Sequence, residues 1–252
     1  MCTNPRQLEK KFVDGSSRIY LVPCGKCAEC RAKYQSEYAA LSVLEANSAG
    51  SLAFITLTYD NNSLPVWIIR DTAGVKSPVA FQRGCECFEQ QLDDWSKNGC
   101  RLIPDYTIEQ DDFLCPSLNR DDIKSLLKKY RQDFFRRHGE RLDLRMSCFG
   151  EYGEKFHRPH YHMIVYGLSQ DEVNRLASKW SFGFTNVQYV TRFNADGSDA
   201  FIKVSRYVSK YVSKGEFLPD FVQAGFAEKP RKQSSVRLGR RDLNYEHLRN
   251  FI

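Results

Sequence analysis

Hydrophobic positions along the chain switch between a period of about 3.6 and a period of two, and each switch marks an element. "RAKYQSEYAALSVLEAN" (31–47) sets Tyr34, Tyr38, Leu41 and Leu44 at helical spacing, and "LAFITLTYD" (52–60) is a β-branched and aromatic strand. "NRDDIKSLLKKYRQDFFRRHG" (119–139) predicts a helix with Asn119 as cap, Asp121 and Asp122 in the first turn and Gly139 at the stop. Ile123, Leu126, Leu127, Tyr130 and Phe134 line its apolar face, and the opposite basic face is either solvated or a nucleic-acid contact. "LRMSCFGEYG" (144–153) and "HYHMIVYGL" (160–168) predict two antiparallel strands joined by a polar loop. A helix capped by Ser169 (169–180), a strand after the Gly183 break (185–191) and a helix over 199–216 complete the pattern. The order strand, helix, strand, strand, helix, strand, helix predicts an α+β fold, with helices packed against a central antiparallel sheet. The prolines, glycines and acidic patches of 61–118 predict an irregular insertion. Three segments follow: a cysteine-rich piece with a helix (1–48), a core with the insertion (49–216), and a basic extension packed on it (217–252).

With 42% hydrophobic residues in 252, global disorder is excluded. No apolar run approaches the ~18 residues of a membrane span, and "MCTNPRQLEKK" lacks the apolar segment of a signal peptide, so a cytoplasmic protein is expected. The formal charge of +6 favours anionic partners. Acids gather in 86–112, whereas "KPRKQSSVRLGRR" (229–241) is basic without an acid. Arg231, Lys232, Arg237, Arg240 and Arg241 are therefore candidate nucleic-acid contacts, a solvated basic loop being the other reading.

Nine cysteines include "CGKCAEC", with Cys24, Cys27 and Cys30 at a spacing that suits one structural zinc, and Gly25 allows the tight turn. Cys2 is the first choice for the fourth ligand; reduced, buried thiols are the alternative.

In "RPHYHMIVYG" (158–167), His160 and His162 point to one strand face, while Tyr161 between them points to the other. Such a pair is either structural or half of a metal site. Glu151 on the preceding strand can supply a third ligand, with Glu154 competing; His157 sits in the turn and is left aside. Two nitrogens and an oxygen suit Mg²⁺ or Mn²⁺ acting on a phosphate, with zinc not excluded by the ligands alone. "RYVSKYVSK" (206–214), taken as a helix, stacks Val204, Val208 and Val212 in one stripe, Tyr207 and Tyr211 in a second, and Lys210 and Lys214 in a third. This is either an amphipathic helix with half-buried tyrosines or a pair of nucleophiles. A phenol with a pKa of about 10 needs a nearby cation to attack a phosphate near neutral pH.

"FITLTYD", "RPHYHMIVYG" and "YVSKYVSK", in that order, resemble the motifs of HUH endonucleases of the replication-initiator type. With "VPCGKCAECR" and "GEYGEKFHRPHYHMIVYG", the resemblance is to the replication initiators of microviruses, particularly the gokushovirus-like single-stranded DNA phages. It covers about 20–60 and 119–240. It implies a ferredoxin-like or RRM-like core and rolling-circle replication, in which a tyrosine cleaves single-stranded origin DNA, forms a 5′-phosphotyrosine link and frees a 3′-OH primer. Carried over, Tyr207 and Tyr211 are nucleophiles, Lys210 and Lys214 stabilise the phosphate, and His160, His162 and Glu151 hold the metal. The family often carries a Pro-Gly-rich stretch where this chain has "SSVRLGRRD". The sequence has no GxxxxGK[ST] loop, so host helicase and DNA polymerase are expected partners, in the cytoplasm of the bacterial host. The rival readings are a non-catalytic, zinc-containing nucleic-acid-binding protein and a metal hydrolase that uses water.

Overall fold

A computed structural model describes residues 2–84, 112–154, 157–193, 197–210 and 218–239, and every structural statement below concerns these. The elements are β1 (Arg6–Lys11), β2 (Ser17–Val22), α1 (Ala28–Ala49), β3 (Leu52–Tyr59), β4 (Pro65–Thr72), β5 (Val75–Arg83), β6 (Asp112–Pro116), α2 (Arg120–His138), β7 (Arg145–Tyr152), β8 (Pro159–Tyr166), α3 (Gln170–Ser178), β9 (Gly183–Val190), α4 (Ala200–Ser209), α5 (Asp220–Gln223) and β10 (Lys232–Ser234). The fold is α+β. Its main sheet runs β10-β7-β8-β3-β9, and every neighbouring pair is antiparallel.

Because strand side chains alternate, this sheet has two buried faces. Ala53, Ile55 and Leu57 of β3, with Tyr161, Met163 and Val165 of β8, pack against Ile123, Leu126, Leu127 and Tyr130 of α2 and Val173 and Leu176 of α3. Leu52, Phe54, Phe149, Ile164 and Tyr166 face the other way, onto Tyr38 and Ala46 of α1 and Phe201 and Val208 of α4. The helices begin at side-chain caps: Asn119 accepts from the Asp121 N–H, Ser169 from Glu172 and Asp199 from Ile202. Gly139 ends α2 in the left-handed conformation.

The structure corrects the sequence reading at three places. Within 61–118, expected to be irregular, the described residues form a second antiparallel sheet, β5-β4-β6. Val66, Ile68 and Ile69 of β4 are fully buried. The pairing register shifts between Ile68 and Ile69, so two successive isoleucines turn inward and the period-two signal is lost. This sheet is tied to α2 by Asp122, whose carboxylate accepts from the Tyr59 hydroxyl at 2.7 Å and from Arg83 at 2.6 and 3.1 Å.

Helix α1 forms as expected but is rotated. Tyr38, Ser42, Glu45 and Ala46 are its buried residues, whereas Tyr34 and Leu44 are exposed. Glu45 is drawn inward because Arg145 of β7 donates to both its oxygens at 2.7 and 2.9 Å and the Gly239 N–H donates at 2.7 Å. Third, an unforeseen β1–β2 hairpin turns at Asp14–Gly15, and apart from the half-buried Val22 its strand residues are exposed. Part of the basic extension joins the main sheet as β10, pairing Lys232 with Phe149. Among the described residues no helix is long and apolar enough to cross a membrane.

Candidate metal centre and its sheet face

Strand β8 carries the histidines at the middle of the main sheet, paired along its length to β7 and β3. The register sets Glu151 directly opposite His160, so these side chains emerge on the same face. Both imidazole Nε2 atoms converge on one carboxylate oxygen, Glu151 Oε2, at 3.3 Å from His160 and 3.0 Å from His162. The rings themselves stand edge to face, 4.9 Å apart.

The outer nitrogens decide what this cluster needs. His160 Nδ1 lies 3.1 Å from the Arg158 carbonyl, which can only accept, so Nδ1 carries the proton. Neutral His160 therefore aims an Nε2 lone pair at a carboxylate. His162 Nδ1 is held in the same way by the Thr56 hydroxyl at 3.2 Å. Three acceptors facing one point repel one another unless a positive charge sits among them, either a proton on an imidazole or a cation. The donor set fits a divalent cation. Two nitrogens and one oxygen converge, their orientation is fixed from behind by Thr56 and Arg158, and no fourth protein ligand closes the cluster among the described residues.

Glu154, the competing acid, sits in the exposed turn after β7 and outside this cluster. His157 is nearby in sequence but its ring packs 6.1 Å from Phe221. Tyr161 points to the opposite face, 3% exposed, where its hydroxyl accepts from the Asn119 N–H at 2.7 Å. Burial raises its pKa well above the ordinary phenol value.

Helix α4 covers part of the histidine face. Phe54 stacks on His162 with ring centroids 5.3 Å apart, and Tyr207 meets Phe54 edge-on at 5.8 Å. Tyr207 is half-exposed, and Val208 beside it is fully buried and anchors the helix. Lys210 closes α4 and is exposed. Tyr211, Val212 and Lys214 lie outside the described residues, so the second half of the repeat has no described position.

The second cluster lies near the N-terminus. The Sγ atoms of Cys2, Cys24, Cys27 and Cys30 all fall within 4.8 Å of one another. Cys2 and Cys27 are 3.8 Å apart, and Cys24 and Cys30 are 4.0 Å apart. Four sulfurs about 2.3 Å from a tetrahedral zinc would stand about 3.8 Å apart, so the donor set fits that ion. Gly25, at φ 74°, makes the turn that lets the Lys26 and Cys27 N–H groups donate to Cys24 Sγ at 3.4 and 3.3 Å. The backbone N–H groups of Cys30 and Thr3 hold the Cys27 thiol down to about 6, favouring the thiolate that a metal requires.

The basic residues of the extension that the structure describes lie on the far side of β7 from β8. Lys232 stands 5.0 Å over both the Tyr34 and Tyr38 rings, Arg231 and Arg237 are exposed, and Arg240 and Arg241 lie outside the described residues. Sequence reasoning missed Thr56 and the exposed end of β9. Both depend on which strand lies beside which, and the only signal for them is the alternation of "FITLTYD" and "FTNVQYV".

Residues 106–216 match a family model described as replication-associated protein of the ORF2 type. Over 250 residues the chain is 25% identical to replication-associated protein ORF4 of Chlamydia phage 1, an alignment covering 92% of this chain and 48% of that protein. The chain thus spans about half the length of the curated relative it matches. No solved structure matches it. The two matches support a role in phage replication initiation, in agreement with the resemblance drawn from the motifs.

Proposed function

We propose that this chain initiates rolling-circle replication by nicking and rejoining single-stranded origin DNA through tyrosine, as an HUH-type endonuclease. The observation that carries the reading is the convergence of His160, His162 and Glu151 on one carboxylate oxygen, on the face where α4 presents Tyr207 beside Phe54. The phage replication matches support the same class of activity. In this reading, residues 49–216 act as the endonuclease core, with the cysteine-rich segment 1–48 and the extension 217–252 attached to it.

The Tyr207 phenol oxygen attacks the scissile phosphorus, giving up its proton to solvent or a nearby base. The Tyr–O–P bond forms, the bond from phosphorus to the 3′ oxygen breaks, and that oxygen leaves as a 3′-OH primer after taking a proton. A Mg²⁺ or Mn²⁺ ion bound by His160, His162 and Glu151 would supply positive charge at a phosphate oxygen. Lys210, one residue beyond α4, adds charge to the attacked phosphate, and Lys214 does the same beside the second phenol. Tyr211 accepts the DNA when the unit-length strand is closed, the 3′-OH attacking the phosphotyrosine in the reverse of the first step. Host helicase and polymerase extend the freed primer.

The test is incubation of the purified chain with single-stranded origin DNA and Mn²⁺, followed by a denaturing gel and mapping of the linked residue. A covalent adduct on Tyr207 or Tyr211, lost in the double Tyr207→Phe, Tyr211→Phe variant, is expected. Binding without an adduct across divalent metals and origin fragments would favour the non-catalytic nucleic-acid-binding reading. Cleavage that survives in the double variant would favour a hydrolase using water.

A further inference from the structure

The row of side chains that begins at the metal centre continues across the sheet. Glu151 pairs with His160, His160 with Thr58, and Thr58 with Phe184 at the end of β9. Residues directly opposite one another in neighbouring strands project from the same face, so Phe184 shares the face of His160. Strand spacing of about 4.8 Å puts the two about 10 Å apart. Asn186 occupies the same position one row on, opposite Thr56, and Gln188 follows opposite Phe54.

This strip is open. Phe184 is 70% exposed, and Asn186 and Gln188 are exposed, whereas Val187 and Tyr189, which alternate with them, pack into the core of the other face. A phenylalanine so exposed contributes nothing to a core, and two amides beside it offer both donors and acceptors. The surroundings are cationic. Arg192, just past β9, has a half-exposed side chain, and α4 carries exposed Arg206 and Lys210 on either side of Tyr207. Glu151 is the single acid in these three rows. An aromatic platform, paired amides and flanking cations match a polyanion whose unstacked bases are accessible.

We infer that Phe184, Asn186 and Gln188 form a base-binding strip for single-stranded DNA beside the metal centre, with Phe184 stacking on a base and the two amides reading its neighbours. The inference rests on the nicking reading, because the strip positions the strand whose phosphate reaches His160 and His162. Phe184 is thus a positioning and specificity residue, and it takes no part in bond making.

The experiment measures binding of short, fluorescently labelled single-stranded oligonucleotides of random sequence by anisotropy, for the full chain in Mn²⁺. Phe184→Ala should weaken binding about 5- to 150-fold, the range for one lost stacking contact of about 1–3 kcal/mol. Phe184→Trp should retain binding, which a merely structural role would not predict. Selection of bound sequences from the random pool should show altered base preference in the Asn186→Ala, Gln188→Ala double variant. Unchanged binding by Phe184→Ala would overturn the inference, as would a wild-type preference for duplex DNA, or base preferences that the amide variant leaves intact. The adduct assay on the same oligonucleotides separates the two readings. Phe184-dependent binding without any wild-type adduct would overturn nicking and keep the strip, whereas an adduct with Phe184-independent binding would do the reverse.

Discussion

Replacing Glu45 with alanine removes one end of a buried ion pair and leaves the other in place. The Glu45 side chain is 2% exposed and that of Arg145 11%. After Glu45→Ala the guanidinium keeps only the Val236 and Arg237 carbonyls as acceptors, and the buried Gly239 N–H loses its partner. Breaking such a pair from one side costs about 3–5 kcal/mol, because the surviving charge stays desolvated. At about 2–4 °C per kcal/mol for a chain of this size, the melting midpoint should fall by about 6–20 °C. Glu45→Gln keeps the volume and one acceptor, so its drop should be smaller, about 1.5–3 kcal/mol for the lost charge-assisted bonds. Thermal unfolding followed by circular dichroism at neutral pH reads both variants. Repeating it at high salt tests the burial, since a screened surface pair would lose its effect and this one should not. A midpoint for Glu45→Ala within about 2 °C of wild type would refute the argument that α1 is rotated to bury this carboxylate.

Thr56→Val keeps a β-branched residue in β3 but removes the acceptor behind His162 Nδ1, and should lower Mn²⁺ affinity by about 10- to 100-fold in calorimetric titration; unchanged affinity would count against a role in holding the ring. Cys24→Ser should reduce bound zinc by about one per chain in elemental analysis, and equal zinc content in variant and wild type would refute the cysteine site. Glu172 has its carboxyl held below the ordinary value of 4.5, first by its hydrogen bonds from Arg137. The stabilisation is therefore present above about pH 4.5 and is lost as pH falls through the lower folded value. Arg137→Leu should accordingly destabilise the chain at pH 7 in urea titration and converge with wild type in acid; an equal deficit at both pH values would show that packing, and not charge, was lost.

The strands that carry the candidate centre were legible because their chemistry and their period agree. His160 and His162 stand two apart in an apolar run, and Glu151 falls opposite His160 once the short loop folds back. The capped ends of α2 and α3 were legible for the same local reason, since Asn119, Ser169 and Gly139 act within their own turns. What was illegible depended on partners far along the chain. Glu45 lies 100 residues from Arg145, and Thr56 lies 106 from His162, so neither the rotation of α1 nor the support behind His162 has a local signature. The bulge in β4 erased the alternation that would have announced the second sheet. The β1–β2 hairpin buries no strand residue and so has little hydrophobic pattern to read.

That hairpin owes its closure to something other than a core. Its two strands lie between Cys2 and Cys24, which are 22 residues apart and meet through the Cys24 N–H and the Cys2 sulfur at 3.3 Å. A metal joining these thiolates would turn the first strands of the chain into a covalently closed ring. By chain-entropy reckoning, a cross-link over that length removes about 3 kcal/mol worth of freedom from the unfolded ensemble. In a reducing medium, where a disulfide would not persist, four thiolates around an ion give the same topological restraint. The hairpin would then be held in register by loop topology, leaving both its faces free of any packing duty.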